Sequence, residues 1–191
     1  MKVACIFPGQ GSQSVGMLNS LADVYPQVEK TVARATEILG YDLWKIIKDG
    51  PVEELNNTEI TQPAMLVAGY IVGQLLFEEK AIRAEVVAGH SLGEYTALCY
   101  AGSIKFEDAV KIVSRRGQLM QQVVSPGQGA MAAILGLDDQ QVISACEKAA
   151  QSDVVSAVNF NSPGQVVIAG DKSAVDRAIE ECKTAGAKRA I

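Results

Sequence analysis

Glu85-Val86-Val87-Ala88-Gly89-His90-Ser91-Leu92-Gly93-Glu94 is the stretch whose reading decides the fold. Glu85 to Ala88 reads as a short buried strand, and the residues Gly89 to Gly93 follow it as a tight turn. A helix is predicted from about Gly93 to Tyr100, stopped by Gly102. Gly89-His90-Ser91-Leu92-Gly93 matches the nucleophile elbow G-x-S-x-G, a strand-to-helix turn that needs small residues around its serine so that neighbouring backbone can approach. The hydroxyl then stands at a helix N-terminus, where the dipole and free N–H groups favour developing negative charge. Five residues alone are a moderately specific pattern. The strand before them and the helix after them supply the context that the chemistry needs.

Outward from the elbow, Val3-Ala4-Cys5-Ile6-Phe7 reads as another short buried strand, broken by Pro8-Gly9. A loop rich in Gly, Gln and Ser runs from Pro8 to Ser14, and helical patterns extend from about Leu18 to Leu39. Thr61-Gln62-Pro63 is expected to open a buried helix, with Pro63 in its first turn. The uncharged run Ile60 to Phe77 contains Thr61, Gln62, Pro63 and Gln74, so its apolar part is expected to be too short to span a bilayer. Gly69 and Gly73 within it have the G-x-x-x-G spacing, read here as close packing of a buried helix against a neighbour. A further helix, about Lys105 to Val124, places Phe106, Ala109, Val110, Val113, Gly117, Met120 and Val124 in one stripe. On that wheel Arg115 points away from the stripe and Arg116 sits at its edge, where a side chain can reach a cleft. Strands separated by helices predict a parallel sheet flanked on both faces.

Ser125-Pro126-Gly127-Gln128-Gly129 marks a boundary, which gives a domain of residues 1–125 bearing the elbow and a subdomain of residues 126–191. In the latter, Ala130 to Leu137 is a predicted strand and Asp138 to Ala150 a helix. Val154 to Phe160 and Gln165 to Ala169 are strands around the turn Asn161-Ser162-Pro163-Gly164, Asp171 to Ala185 is a helix, and Ala187 to Ile191 begins a strand. That order, βαββαβ, is the ferredoxin-like split motif. Its last strand is cut short, so the chain is expected to be incomplete at its C-terminus.

Of the 191 residues, 48% are apolar and 20% charged, which excludes disorder. The formal charge of −5 argues against nucleic-acid binding and against a polybasic membrane surface. Cys5, Cys99, Cys146 and Cys182 lack C-x-x-C spacing and suit small buried hydrophobes in a reducing cytoplasm. His90 is the sole histidine, so His-rich metal sites are impossible. Being adjacent to Ser91 in a sharp turn, His90 is expected to leave the backbone on another side, and the base that activates the serine must come from outside these residues. Pro8-Gly9-Gln10-Gly11-Ser12-Gln13 has neither dinucleotide nor P-loop spacing. A loop of this kind can instead place backbone N–H groups beside a neighbouring strand's nucleophile as an oxyanion hole.

Pro8-Gly9-Gln10-Gly11-Ser12-Gln13, Thr61-Gln62-Pro63-Ala64, Gly89-His90-Ser91-Leu92-Gly93-Glu94, Arg116-Gly117 and Asn159-Phe160-Asn161-Ser162-Pro163-Gly164-Gln165 occur in this order. Together they resemble the malonyl-CoA:acyl carrier protein transacylases of bacterial fatty acid synthesis, over the whole chain. The closeness of Pro8 to Met1 suggests a standalone enzyme rather than a synthase module. The resemblance implies an α/β-hydrolase-like parallel-sheet core with a ferredoxin-like small subdomain. It implies that Ser91 carries malonyl from malonyl-CoA to the phosphopantetheine thiol of acyl carrier protein, in the cytoplasm, with no cofactor beyond the coenzyme A thioester as substrate. Backbone N–H groups of Gln10 and Leu92 would hold the oxyanion. Asn159 and Asn161 read equally as turn-formers or as cleft residues, and Asn161 is the substrate-binding candidate of the two. Arg116 would grip the malonyl carboxylate, with Gln62 beside it.

A planar guanidinium suits that role because it can give a carboxylate two parallel hydrogen bonds. In the family a histidine from a segment after the small domain activates the serine, and these 191 residues do not contain it. A serine hydrolase or thioesterase on the same elbow, and a non-catalytic fragment that binds acyl-CoA or carrier protein, are the competing readings. Lys105, Lys111, Arg115, Lys183, Lys188 and Arg189 are the candidate contacts to an acidic carrier protein.

Overall fold

The computed structural model describes residues 2–79, 83–123 and 127–191. The chain forms two units, Met1–Val123 and Val124–Ile191. The expected boundary residues Ser125 and Pro126 lie outside the described residues, as does Val124, the last residue of the predicted stripe.

The first unit holds strand β1 (Ala4–Phe7), helices α1 (Asn19–Ala22), α2 (Gln27–Leu39), α3 (Leu43–Asp49), α4 (Val52–Leu55) and α5 (Thr58–Gln74), strand β2 (Val86–Gly89), and helices α6 (Gly93–Tyr100) and α7 (Phe106–Val123). The two strands pair in parallel, Ala4 opposite Val86 through Phe7 opposite Gly89. The helical patterns expected from about Leu18 to Leu39 form two helices, α1 and α2. Pro26 lies between them; its ring excludes the carbonyl four residues back and it has no N–H to continue a helix from Ala22.

Helix α5 starts earlier than predicted, and Pro63 lies inside it. The Asn57 side chain accepts a hydrogen bond from the Glu59 N–H at 3.1 Å, which satisfies an otherwise unpaired donor and sets the start. Pro63 then costs the helix one bond, to the Glu59 carbonyl. The run Thr58–Glu78 has mean hydropathy 1.4 and is long and apolar enough to cross a membrane, contrary to the expectation from its polar residues. In this fold 61% of an 18-residue stretch of it is buried, because Ala64, Met65, Leu66, Val67 and Ile71 pack with Val28, Val32, Leu43, Ile47, Val110 and Val113 in one core. Where the G-x-x-x-G spacing predicts a close neighbour there is one: a Cβ on Gly73 would lie 2.6 Å from the Tyr100 ring of α6.

Two expectations of burial fail here. Strands β1 and β2 are not covered on both faces: Ile6 is 76% and Val86 60% exposed, while Phe7 is buried under α5 and α6. Among the described residues, helices cover one face of the pair. The α7 stripe is buried at Phe106, Ala109, Val110, Val113 and Gly117, but Met120 is 47% exposed. The reason is geometric. Gly117 meets the backbone of Thr58, the first residue of α5, so α7 runs past the end of its partner beyond that point.

In the second unit, β3 (Gly129–Leu135), α8 (Asp139–Ala150), β4 (Val155–Ser162), β5 (Gln165–Asp171), α9 (Lys172–Thr184) and β6 (Arg189–Ala190) form the βαββαβ unit. The sheet order is β4-β5-β3-β6, antiparallel throughout, as the split motif requires. Asp138 caps α8 in a capping box: its side chain accepts from the Gln141 N–H at 2.8 Å, and the Gln141 side chain accepts from the Asp138 N–H at 3.0 Å. The predicted turn Asn161 to Gly164 contracts to Pro163-Gly164, because Asn161 and Ser162 stay in β4 and Gly164 takes φ 77°. Cys146 and Cys182 are buried between the helices and the sheet, as expected of small hydrophobes; Cys5 and Cys99 are half-buried. Burial pushes the Cys146 and Cys99 thiols up to about 11, which keeps both un-ionised and unreactive at neutral pH.

Candidate active site

The elbow is built on two glycines. A Cβ on Gly89 would lie 1.9 Å from the Gly93 carbonyl carbon, and one on Gly93 would lie 2.1 Å from the Phe7 carbonyl oxygen. Between them Ser91 adopts φ 51°, the left-handed region that residues with a Cβ seldom occupy. The surroundings hold it there. The N–H groups of Gly93, Glu94 and Tyr95 donate to the carbonyls of His90, Ser91 and Leu92 at 2.9, 3.2 and 3.0 Å, and the His90 N–H donates to the Phe7 carbonyl at 3.1 Å. The Leu92 side chain is fully buried, so the turn is pinned to the core on the inside and presents Ser91 outward.

Gln62 is 1% exposed, and a buried amide needs partners for both of its ends. Its Nε2 donates to Gln10 Oε1 at 3.2 Å, and its Oε1 accepts from Arg116 Nη1 at 2.5 Å. Arg116 Nη2 donates to Ser91 Oγ at 2.9 Å. At the other end of the path Gln10 Nε2 donates to Thr58 Oγ1 at 3.4 Å. The guanidinium carbon also stands 5.9 Å from the centre of the Tyr95 ring, at the outer limit of a cation–π contact.

Arg116 reaches this position because α7 approaches α5 at Gly117, where a Cβ would come within 2.9 Å of the Thr58 carbonyl oxygen and 3.3 Å of Gln62 Cγ. Every hydrogen-bond partner just named for Arg116 is neutral, and among the described residues no carboxylate forms an ion pair with it. The cation therefore keeps donor capacity for an anion. Arg115, as the wheel predicts, is on the exposed side, where it donates to Gln118 at 3.3 Å. Beside Arg116 a surface groove of about 570 Å³ runs along α7, walled by Lys111, Ile112, Leu119 and Met120. His90 lies against Gly9, whose Cβ position is 3.1 Å from the imidazole Nδ1.

A family model described as the acyl transferase domain matches residues 4–191. The chain belongs to the acyl transferase domain family. Over all 191 residues it is 57% identical to the malonyl CoA-acyl carrier protein transacylase of Haemophilus influenzae, and 43% identical to that of Bacillus subtilis. It covers 61% and 60% of those two proteins, so it spans about three fifths of the length of the curated relatives it matches. Its fold is similar to an acyl carrier protein S-malonyltransferase from Vibrio cholerae, with TM-score 0.94 and 57% identity, covering all of this chain and 62% of that one. A malonyl-transacylase solved in complex with a type II PKS acyl-carrier protein matches with TM-score 0.94 and 53% identity, again over all of this chain and 62% of the other.

In this acyl transferase domain the side chains of Ser91, Arg116, Gln62 and Gln10 form one hydrogen-bonded path, and Leu92 heads α6 next to it. All belong to the first unit. Asn161 lies on β4 of the second unit. Reading the sequence misses Thr58 and Tyr95. Tyr95 lies in the first turn of α6, directly after the elbow. Thr58 had no sequence signal: its hydroxyl meets Gln10 only because the loop after β1 folds onto the start of α5.

Proposed function

We propose that this chain is the nucleophile-bearing part of a malonyl-CoA:acyl carrier protein transacylase. The supporting observation is an arginine with neutral partners whose Nη2 stands 2.9 Å from the hydroxyl oxygen of an elbow serine. An acyl group fits that pair if it carries an electrophilic carbonyl with a carboxylate one methylene away. Malonyl has this spacing, and acetyl has no carboxylate. Each hydrogen bond between the guanidinium and the carboxylate is worth about 1.5–3 kcal/mol, enough for a strong preference. The names of the relatives and the solved complex with an acyl-carrier protein support the same reading.

In the first half-reaction Ser91 Oγ attacks the thioester carbonyl carbon of malonyl-CoA. The C–S bond breaks, coenzyme A leaves as the thiol, and the serine proton passes to a general base and from it to the sulfur. The malonyl-serine ester then accepts attack by the phosphopantetheine thiol of acyl carrier protein, and Ser91 regains its proton. Backbone N–H groups of Gln10 and Leu92 are assigned to the oxyanion, Arg116 to the carboxylate, Gln62 to holding Arg116, and Asn161 to substrate binding. His90, the sole histidine of the sequence, is given no part in proton transfer, and the base comes from outside these residues. Acyl transfer between thioesters changes no oxidation state, so no cofactor is required. The cytoplasm, where thiols stay reduced, is the assigned location.

Intact-protein mass spectrometry after incubation with malonyl-CoA tests this. The expected result is a malonyl-sized increment that is absent in Ser91→Ala and strongly reduced in Arg116→Ala. An equal increment in Ser91→Ala, or labelling by acetyl-CoA as fast as by malonyl-CoA, would overturn the assignment.

A further inference from the structure

We propose that Arg116 latches Ser91, and that the carboxylate of an incoming acyl group frees the nucleophile by drawing the guanidinium away from it. The proposal rests on the reading of Arg116 as the carboxylate-binding group. Its basis is the bond from Arg116 Nη2 to Ser91 Oγ at 2.9 Å. A reacting carbon must come to roughly 3–3.5 Å from the attacking oxygen, so the nitrogen already stands inside the shell that the acyl carbonyl has to enter. A lone pair engaged by a cationic donor is also lowered in energy and withdrawn from attack.

The two ends of the guanidinium are not held equally. Nη1 bonds to Gln62, which is 1% exposed and is itself held by Gln10, and that bond is part-buried. The bond from Nη2 to Ser91 is exposed to solvent. The Ser91 bond is therefore the one that yields when an anion arrives, while the Gln62 bond keeps the group in the site. No covalent bond changes in this step; one N–H···O bond to a neutral hydroxyl is exchanged for bonds to a carboxylate. The consequence is a second level of selectivity. An acyl group without a carboxylate binds less well, and it also meets a serine whose oxygen is still engaged.

The test uses free malonate as the probe and isothermal titration of the 191-residue chain. If binding must break the Arg116–Ser91 bond, removing the hydroxyl removes that cost, and Ser91→Ala should bind malonate roughly tenfold tighter than the parent chain. Ser91→Gly, which also relieves the left-handed φ, should show the same tightening, so a folding defect peculiar to alanine cannot obscure the result. Arg116→Ala should abolish binding in either background. Equal or weaker binding by both Ser91 variants would overturn the latch and leave the carboxylate site standing. Failure of the parent chain and both Ser91 variants to bind malonate at all would overturn the carboxylate site, and the latch with it.

Discussion

The two units each hold a partly buried arginine, and the two are used in opposite ways. Arg177 of the second unit donates from Nε to the Ala149 carbonyl at 2.9 Å and from Nη2 to Ala150 and to the Asp153 carboxylate at 3.2 and 2.9 Å, closing the end of α8. Its charge is matched by Asp153, and its Nε and Nη2 bond to the backbone and that carboxylate. Arg116 of the first unit is held by Gln62 and Ser91, both neutral, and keeps capacity for an anion. The sheets differ in the same sense. The second unit pairs four strands and covers one face with its own two helices, whereas the first pairs two parallel strands around a strained turn and leaves Ile6 and Val86 in water. The antiparallel sheet and its two helices close one core. The parallel pair instead places a serine and an arginine from distant segments within hydrogen-bond reach.

The strongest way to break this contrast is at the elbow. Gly89→Ala puts a Cβ 1.9 Å from backbone that cannot move without dissolving the turn. The expected loss exceeds about 4 kcal/mol, seen as loss of cooperative unfolding of the first unit. Next come two isoleucines on strands. Ile168→Ala, at 0% exposure in the second unit, should cost about 2–5 kcal/mol in urea unfolding. Ile6→Ala, at 76% exposure in the first, should stay within about 0.5 kcal/mol. Similar losses at both positions would mean that β1 is covered in solution.

Gly117→Ala is expected to cost about 1–3 kcal/mol, because the new methyl group meets the backbone of Thr58 and Glu59 at 2.9 and 3.0 Å. It should also weaken malonate binding by displacing Arg116 from Gln62, a loss that a substitution on the exposed side of α7, such as Arg115→Ala, would not produce. The smallest effect concerns pH. Hydrogen bonds from Arg177 and then Ser173 hold the Asp153 carboxyl below the usual carboxylate range. A depressed pKa contributes stability above the unfolded value of about 3.9, and that contribution is lost as pH falls through the folded value. Asp153→Asn should therefore flatten the acid limb of the melting temperature below about pH 4 and leave malonate binding unchanged. An unchanged acid limb would show that the Arg177 contact carries no pH-dependent stability.

The elbow was legible because its demands are local: a strand, two glycines and a helix start within ten residues, and the structure has a helix at Gly93–Tyr100 as the pattern predicts. The βαββαβ unit was legible because its elements show their own periodicity and turn signals in order, and its β4–β5 hairpin closes over Pro163-Gly164; the pairings of β3 with β5 and β6 are long-range. Positions that depend on where an element meets something else were read less well. Pro63 sits inside α5 because a cap six residues upstream, Asn57, outweighs it. Met120 emerges from the α7 stripe because α5 begins at Thr58 and offers nothing beyond it to pack on.

The sequence by itself determined which residue types were present and where the chain must turn, because backbone sterics and side-chain periodicity act over a few residues. It singled out Ser91 by its glycines and placed Arg116 at the edge of a helix. Only the tertiary structure decided that Arg116 faces Ser91 and Gln62 rather than solvent. Twenty-five residues separate Arg116 from Ser91 and 54 separate it from Gln62, and their meeting depends on α7 and α5 touching at a residue with no side chain. Hydrogen bonds between distant segments follow from packing, and packing is a property of the whole unit.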